Sequence, residues 1–289
     1  MPKGLFLYKQ IIITMKKSLI ILSTLALFAI CSCSDNYVSQ DFSIEGSYSE
    51  LHVGSAFEVT VDKSASQITV TTDESIMPKV AVEKNGDRLS IQLKGINSMT
   101  LGASLKVVLP YNPDLTSVNL SGASEFLSEY GLKGPRVDVE LSGASDFECD
   151  IEADETVVDI NGASDFDGDI NADIINMEIS GASDLRGAVE AQNLNLTIGG
   201  ASDVYLKGYV SMLEINLTGA SKITKRMDGN RYALSCDQCY GSISGASSAF
   251  IHSDGSIRVD ISGGSKLRYT GDASTSGSNT SGGSSIMHD

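Results

Sequence analysis

From residue 113 onward the chain alternates apolar and polar positions in short bursts, and each burst ends on a similar four-residue break. The break reads Ser121-Gly-Ala-Ser124, Ser142-Gly-Ala-Ser145, Asn161-Gly-Ala-Ser164, Ser180-Gly-Ala-Ser183, Gly199-Gly-Ala-Ser202, Thr218-Gly-Ala-Ser221, Ser244-Gly-Ala-Ser247 and Ser262-Gly-Gly-Ser265. One position before each unit stand Leu120, Leu141, Ile160, Ile179, Ile198, Leu217, Ile243 and Ile261. Three before stand Val118, Val139, Val158, Met177, Leu196, Ile215, Gly241 and Val259. Apolar residues two apart lie on one side of an extended chain, so each burst is a strand with one buried face. Phe126, Phe147, Phe166, Leu185, Val204, Ile223 and Leu267 follow five residues after the start of their units, each behind a charged residue. A second strand therefore begins there, apolar side inward.

The units start 21, 19, 19, 19, 19, 26 and 18 residues apart. A period near 19 with one insertion is the signature of a solenoid. A coil of that length suits three short sides or a flattened two-sided loop, and coils stacked about 4.8 Å apart pair like with like. The expected fold is all-β: a parallel β-solenoid, right-handed by the crossover rule. Between the two strands the chain turns within four residues. The glycines at the second place, Gly122, Gly143, Gly162, Gly181, Gly200, Gly219, Gly245 and Gly263, allow positive φ, and the alanine at the third is expected in a crowded inner corner.

Residues 42–112 have another texture. Runs Leu51 to Asp62, Gln67 to Thr72, Val80 to Glu83, Leu89 to Leu93 and Leu105 to Leu109 read as longer strands, and Asn85-Gly86 is a strong hairpin turn. This region is expected to form an N-terminal antiparallel β cap over the first open edge of the stack. The repeats then occupy 113–270. Residues 271–289 are rich in Gly and Ser; Ser276, Ser278 and Thr280 stand where an apolar strand should be, so the last coil is expected to be half-formed or frayed.

The N-terminus changes the picture again. Met15-Lys16-Lys17 opens a charged segment, and Leu19 to Ile30 is an apolar run too short to span a bilayer as a helix. Residues 1–32 read as a signal peptide, with Met15 a candidate true start and 33–41 a lipidated linker. Ile30-Cys31-Ser32-Cys33 resembles the lipobox of bacterial lipoproteins, with Cys33 acylated and the protein held at a membrane. The alternative is an ordinary secreted protein cleaved nearby. Formal charge is −16, and without Lys3, Lys9, Lys16 and Lys17 the remainder has 17 basic against 37 acidic residues, net −20. Such a chain is a poor partner for nucleic acid.

Three features carry candidate chemistry. Glu125 and the ladder Asp146, Asp165, Asp184, Asp203 place like charges on successive coils. Ca²⁺ could bridge them, or each Asp could bond backbone amides at its own corner; two carboxylates could also serve a glycosidase, but identical groups on every rung look structural. These aspartates are candidate ligand-facing residues on an outer edge. Cys149 should point inward as a core thiol. Cys236 and Cys239 form one C-x-x-C in the insertion, open to a short-loop disulfide or to free thiols and short of the four ligands of a structural zinc. His52, His252 and His288 join no nucleophilic triad. No catalytic residue, metal or cofactor is expected.

A lipoprotein signal, a strand-rich start with a Leu109-Pro110 step, and serial Ser-Gly-Ala-Ser-Asp units resemble the auto-transporter adhesin, head GIN domain family of Bacteroidetes lipoproteins, over roughly residues 42–270. The resemblance implies a β-helical exported domain of the outer membrane or cell surface of a Gram-negative bacterium, and brings no catalytic residues with it. The function expected is a non-enzymatic, lipid-anchored binding or adhesin-like protein whose ligand is an extended glycan or another cell-surface polymer. The alternative is a carbohydrate-active enzyme on a β-helix scaffold.

Overall fold

The computed structural model describes residues 36–95, 104–224, 226–227, 230–231 and 233–289. The proposed signal peptide and Cys33 lie outside them. Residues Tyr37–Asp289 form one compact unit, a parallel β-solenoid of about nine turns. Strand Leu132–Leu141 pairs in parallel with Ile151–Ile160, which pairs with Ile170–Ile179, and that with the later part of Asp184–Ile198. Partners are offset by 19 residues, so Val139, Val158, Met177 and Leu196 stack directly, as do Leu141, Ile160, Ile179 and Ile198.

Each coil has three walls. The first ends at the four-residue corner, and the second is a short strand such as Asp146–Glu148 or Asp165–Asp167. The third runs into the next first wall across a bend where pairing skips one or two residues, at Asp154, Asp173, Gln192, Ser211 and Asp237. Phe126, Phe147 and Phe166 stack inside the second wall with ring centroids 5.5 and 5.0 Å apart. All three are at most 1% exposed, and each fully buried side chain of this kind contributes about 1.5–3 kcal/mol.

The corner differs from expectation in one respect. All eight turn glycines have φ between 70° and 86°, but the alanine that follows is on the outside: Ala123, Ala144 and Ala163 are exposed. The fourth-place serine turns inward instead, and Ser124, Ser145, Ser164, Ser183, Ser202, Ser221, Ser247 and Ser265 are at most 1% exposed. A buried hydroxyl needs a partner, and at every one of these corners but that of Ser265 the structure supplies one. Ser145 Oγ donates to the Ser142 carbonyl at 2.8 Å and Ser164 Oγ to the Asn161 carbonyl at 2.9 Å, while the Ser145 amide donates to Ser164 Oγ at 3.2 Å. An alanine there could make none of these bonds. The ladder also runs through the turn, where the amides of Ala144 and Ala163 donate to the carbonyls of Gly122 and Gly143 at 2.8 Å.

At the N-terminal end, antiparallel pairs are present: Tyr37–Phe42 with Ile68–Asp73, Ile68–Asp73 with Lys106–Pro110, and the hairpin Val80–Asn85 with Arg88–Leu93 around Gly86. The rest of this region is already solenoid. Glu50–Val53 lies parallel between Arg88–Leu93 and Ser117–Leu120, and Glu58–Asp62 lies parallel between Lys106–Pro110 and Glu125–Leu127. The rung earliest in sequence is therefore second in space. The chain lays it down, drops below to make the base rung, then passes over it at Tyr111 to Thr116, where amides bond the Asp62 and Ser49 carbonyls at 3.2 and 3.0 Å.

At the other end, Ser285–His288 pairs with Lys266–Thr270, whereas Asn279–Thr280 pairs over only two residues. The apolar slot is taken by Ser278, whose Oγ donates to the Ile257 carbonyl and accepts from the Val259 amide, both at 3.0 Å. The last coil closes the core with hydroxyls.

Candidate functional site

The second wall turns its apolar residue inward, so the residue before it must face solvent. Register then stacks Glu58, Glu125, Asp146, Asp165, Asp184, Asp203 and Lys222 in one column, with Lys106 beneath Glu58. Cations sit at both ends and within: Lys106 is 3.4 Å from Glu58, Lys222 3.4 Å from Asp203, and the Arg186 guanidinium reaches Asp184 at 3.0 Å and Asp165 at 3.9 Å. Burial and then the neighbouring carboxylates push Glu125 and Asp146 up. Asp184 is also raised, by burial first, against the pull of Arg186.

Corner amides are not bonded by these aspartates. That work falls to the buried serines and, at the next bend, to Asp150 and Asp169, whose Oδ1 atoms accept from the Asp169 and Ala188 amides at 2.9 Å. Arginine and lysine partners offset the repulsion instead. Among the described residues no three His, Cys, Asp or Glu side chains are grouped to hold a metal ion. A hollow beneath Tyr111, lined by Tyr48, Leu109, Phe126 and Leu132, has about 10 Å³, room for one water. A glycosidase needs a cleft that takes a sugar ring between two carboxylates, and this wall is a flat column.

A second face, which the periodicity does not flag, lies at the bend between the third and first walls. Tyr209 (46% exposed), Met212 (38%), Tyr240 (36%) and Ile174 (40%) project there. In register they occupy polar positions: Tyr209 follows Glu190, Met212 follows Asn193, and Tyr240 follows Asn195 and Glu214. That exchange was visible in the aligned repeats once outward positions were read as well as inward ones. Around them runs a network of amides and acids. Asn195 Nδ2 donates to Asn176 Oδ1 at 2.7 Å, Asn216 Nδ2 to Glu214 Oε1 at 3.3 Å, and Tyr209 Oη to Asp237 Oδ2 at 2.6 Å. The bond to Asp237 raises Tyr209, and burial followed by Glu214 raises Tyr240, so both stay neutral phenols with one flat apolar face each.

Cys149 is buried beside Phe147, and burial pushes its thiol up to about 12, which leaves it protonated and inert. Cys236 and Cys239 flank the bend at Asp237 and are both buried. His252 Nδ1 meets Thr270 Oγ1 at 3.0 Å, and its Nε2 lies 3.5 Å from Asp254 Oδ2.

Against known proteins, the family described as "Putative auto-transporter adhesin, head GIN domain" matches residues 47–167 and again 165–273. No curated protein matches the chain. Three crystal structures share the fold. A "putative adhesin" from Parabacteroides distasonis is 18% identical, with a TM-score of 0.63, 89% of this chain and 98% of that one covered. A "putative lipid binding protein" from the same species is 20% identical, with a TM-score of 0.59 and the same coverage. A "putative adhesin" from Parabacteroides merdae is 18% identical, with a TM-score of 0.57 and coverage of 89% and 97%.

Proposed function

Since the chain belongs to the auto-transporter adhesin, head GIN domain family, we propose that it is a non-enzymatic surface-binding module, held at the outer membrane or cell surface of a Gram-negative bacterium through a lipid on Cys33, with an extended glycan as ligand. The observation that carries the ligand class is the strip of Tyr209, Met212, Tyr240 and Ile174 among asparagines and carboxylates. A sugar ring has an apolar face that packs on a tyrosine and a rim of hydroxyls that bond amides and acids. Coils repeating at about 4.8 Å set Asn176 and Asn195 on successive levels below Glu214 and Tyr240, so a long ligand meets polar partners on several coils. The strip lies on the outer surface of the coils, which suits adhesion better than turnover. The lipid-binding label of one Parabacteroides structure is not extended to this chain, because the core of the described coils is filled by stacked aliphatic and aromatic side chains.

A glycan array probed with the full chain, followed by Tyr209→Ala with Tyr240→Ala, tests the ligand. Loss of binding by about tenfold or more, equivalent to about 1.4 kcal/mol, supports the strip. Binding that survives the double change, or hydrolysis of the bound glycan, overturns it. The anchor is tested by Cys33→Ala, which should release the protein from the detergent phase.

A further inference from the structure

In a straight strand, residues i and i+3 lie about 10 Å apart and face opposite ways. The bend at Asp237, where pairing skips one residue, leaves both side chains facing the core. Cys236 sits in the inward slot above Val210, on the third wall, and Cys239 in the inward slot above Leu213, on the first wall. The equivalent slots in lower coils hold buried apolar residues on both sides of the same bend, Ala172 and Ile175 in one coil and Val210 and Leu213 in another. Only in this coil are both slots filled by thiols. They are 3% and 1% exposed, whereas Asp237 and Gln238 between them face solvent.

Both thiols are free in the structure, and each perturbs the other on the core side of the bend. The interaction makes the pair unequal. Cys239 is pushed up, first by Cys236 and then by burial, while the same interaction pulls Cys236 down. Cys236 is the side that ionises first. Asp237, held by Tyr209, joins this bend to the strip described above.

We propose that Cys236 and Cys239 close an intramolecular disulfide that locks the bend of this coil. The oxidant is an external disulfide, either glutathione disulfide or the disulfide of a thiol oxidoreductase. The Cys236 thiolate attacks one of its sulfurs and releases a thiolate; the Cys239 thiolate then attacks the mixed disulfide and releases the second. Two thiols lose two protons and two electrons, and one disulfide of the oxidant becomes two thiols. Closure belongs to folding, while the bend is still open, because the finished coil hides both sulfurs. The inference is independent of the glycan reading.

The full chain is refolded in a glutathione and glutathione disulfide buffer at the poise of an oxidising compartment, then denatured and alkylated without reductant. The tryptic peptide that follows Arg231 and ends at Arg258 carries both cysteines. It should appear unalkylated and two hydrogens lighter, and reduction should lower Tm by roughly 3–8 °C in wild type and in Cys149→Ser. A peptide bearing two alkyl groups overturns the proposal, as does glutathione or a second chain attached at either cysteine. Cys236→Ser with Cys239→Ser should show no response to reductant; an undiminished shift there also overturns it. Should that double variant fail to fold, the wild-type peptide alone decides.

Discussion

The corner of the rung at 50–62 and the corners above it make the same turn with different residues. At Gly143, Gly162, Gly181 and every later turn glycine through Gly263, an added Cβ would meet the carbonyl oxygen of the turn glycine below, closer than 3.0 Å. That oxygen is the acceptor of the amide that follows the next turn glycine, an alanine's or, at Gly264, a glycine's, so it cannot move without breaking the ladder. The early rung instead uses Gly54-Ser55-Ala56-Phe57, with Ser55 and Ala56 both at φ 66°. Ser55 Oγ accepts from the Leu93 amide at 3.2 Å. Positive φ alone is thus tolerable to a residue with a side chain. What excludes one in the regular coils is the neighbour below.

That distinction can be broken by mutation. The largest effect is expected from Gly162→Ala, which adds strain at φ 85° to a collision with the Gly143 oxygen, costing about 3–5 kcal/mol and lowering Tm by roughly 10 °C. Gly122→Ala should cost only the backbone strain, about 1–2 kcal/mol and roughly 4 °C, because its Cβ would meet nothing nearer than the Ser55 amide at 3.4 Å. Equal losses in the two variants, read by thermal unfolding, would dissolve the comparison.

Smaller and opposite in sign is Asp146→Asn. Burial and Asp165 raise Asp146, so the folded state holds its proton more tightly than the unfolded chain does. The stabilising contribution is full at low pH and is lost as pH rises through the raised value. The variant should melt about 1–3 °C higher at pH 7, with the gain gone below about pH 4. A gain that persists at pH 3 would point to a cause other than charge. Least of all is Ser55→Gly, which relieves strain and forfeits the bond to Leu93; a shift of roughly 1 °C or less is expected, and a large loss would show that the serine itself holds the turn.

The inward pattern was legible because a strand repeats every two residues and a coil every 19, so Leu, Ile and Val positions declared the ladder directly. Outward and corner roles were less so. Composition could not tell which small residue of Ser-Gly-Ala-Ser faces in, since the answer depends on a hydroxyl finding the Ser142 or Asn161 carbonyl three residues back. Nor could local pattern show Glu50–Val53 slipping between Arg88–Leu93 and Ser117–Leu120, because both sheets ask only for the same alternation. The acidic column was visible, but Arg186, a single departure two positions along from Asp184, was passed over as its counterion.

The 19-residue offset between partners makes coil number a quantity that evolution can edit without redesign. Removing residues 161–179 would join Ile160 to Ser180 and bring Ile151–Ile160 directly under the later part of Asp184–Ile198, in the same phase as before. The base, by contrast, is threaded, with its first rung held between two later ones, so a cut there leaves strands without partners. Homologues of this protein should accordingly vary in height by whole coils above residue 117 while their foundations stay fixed, and a measuring rod of chosen length could be built by the same rule.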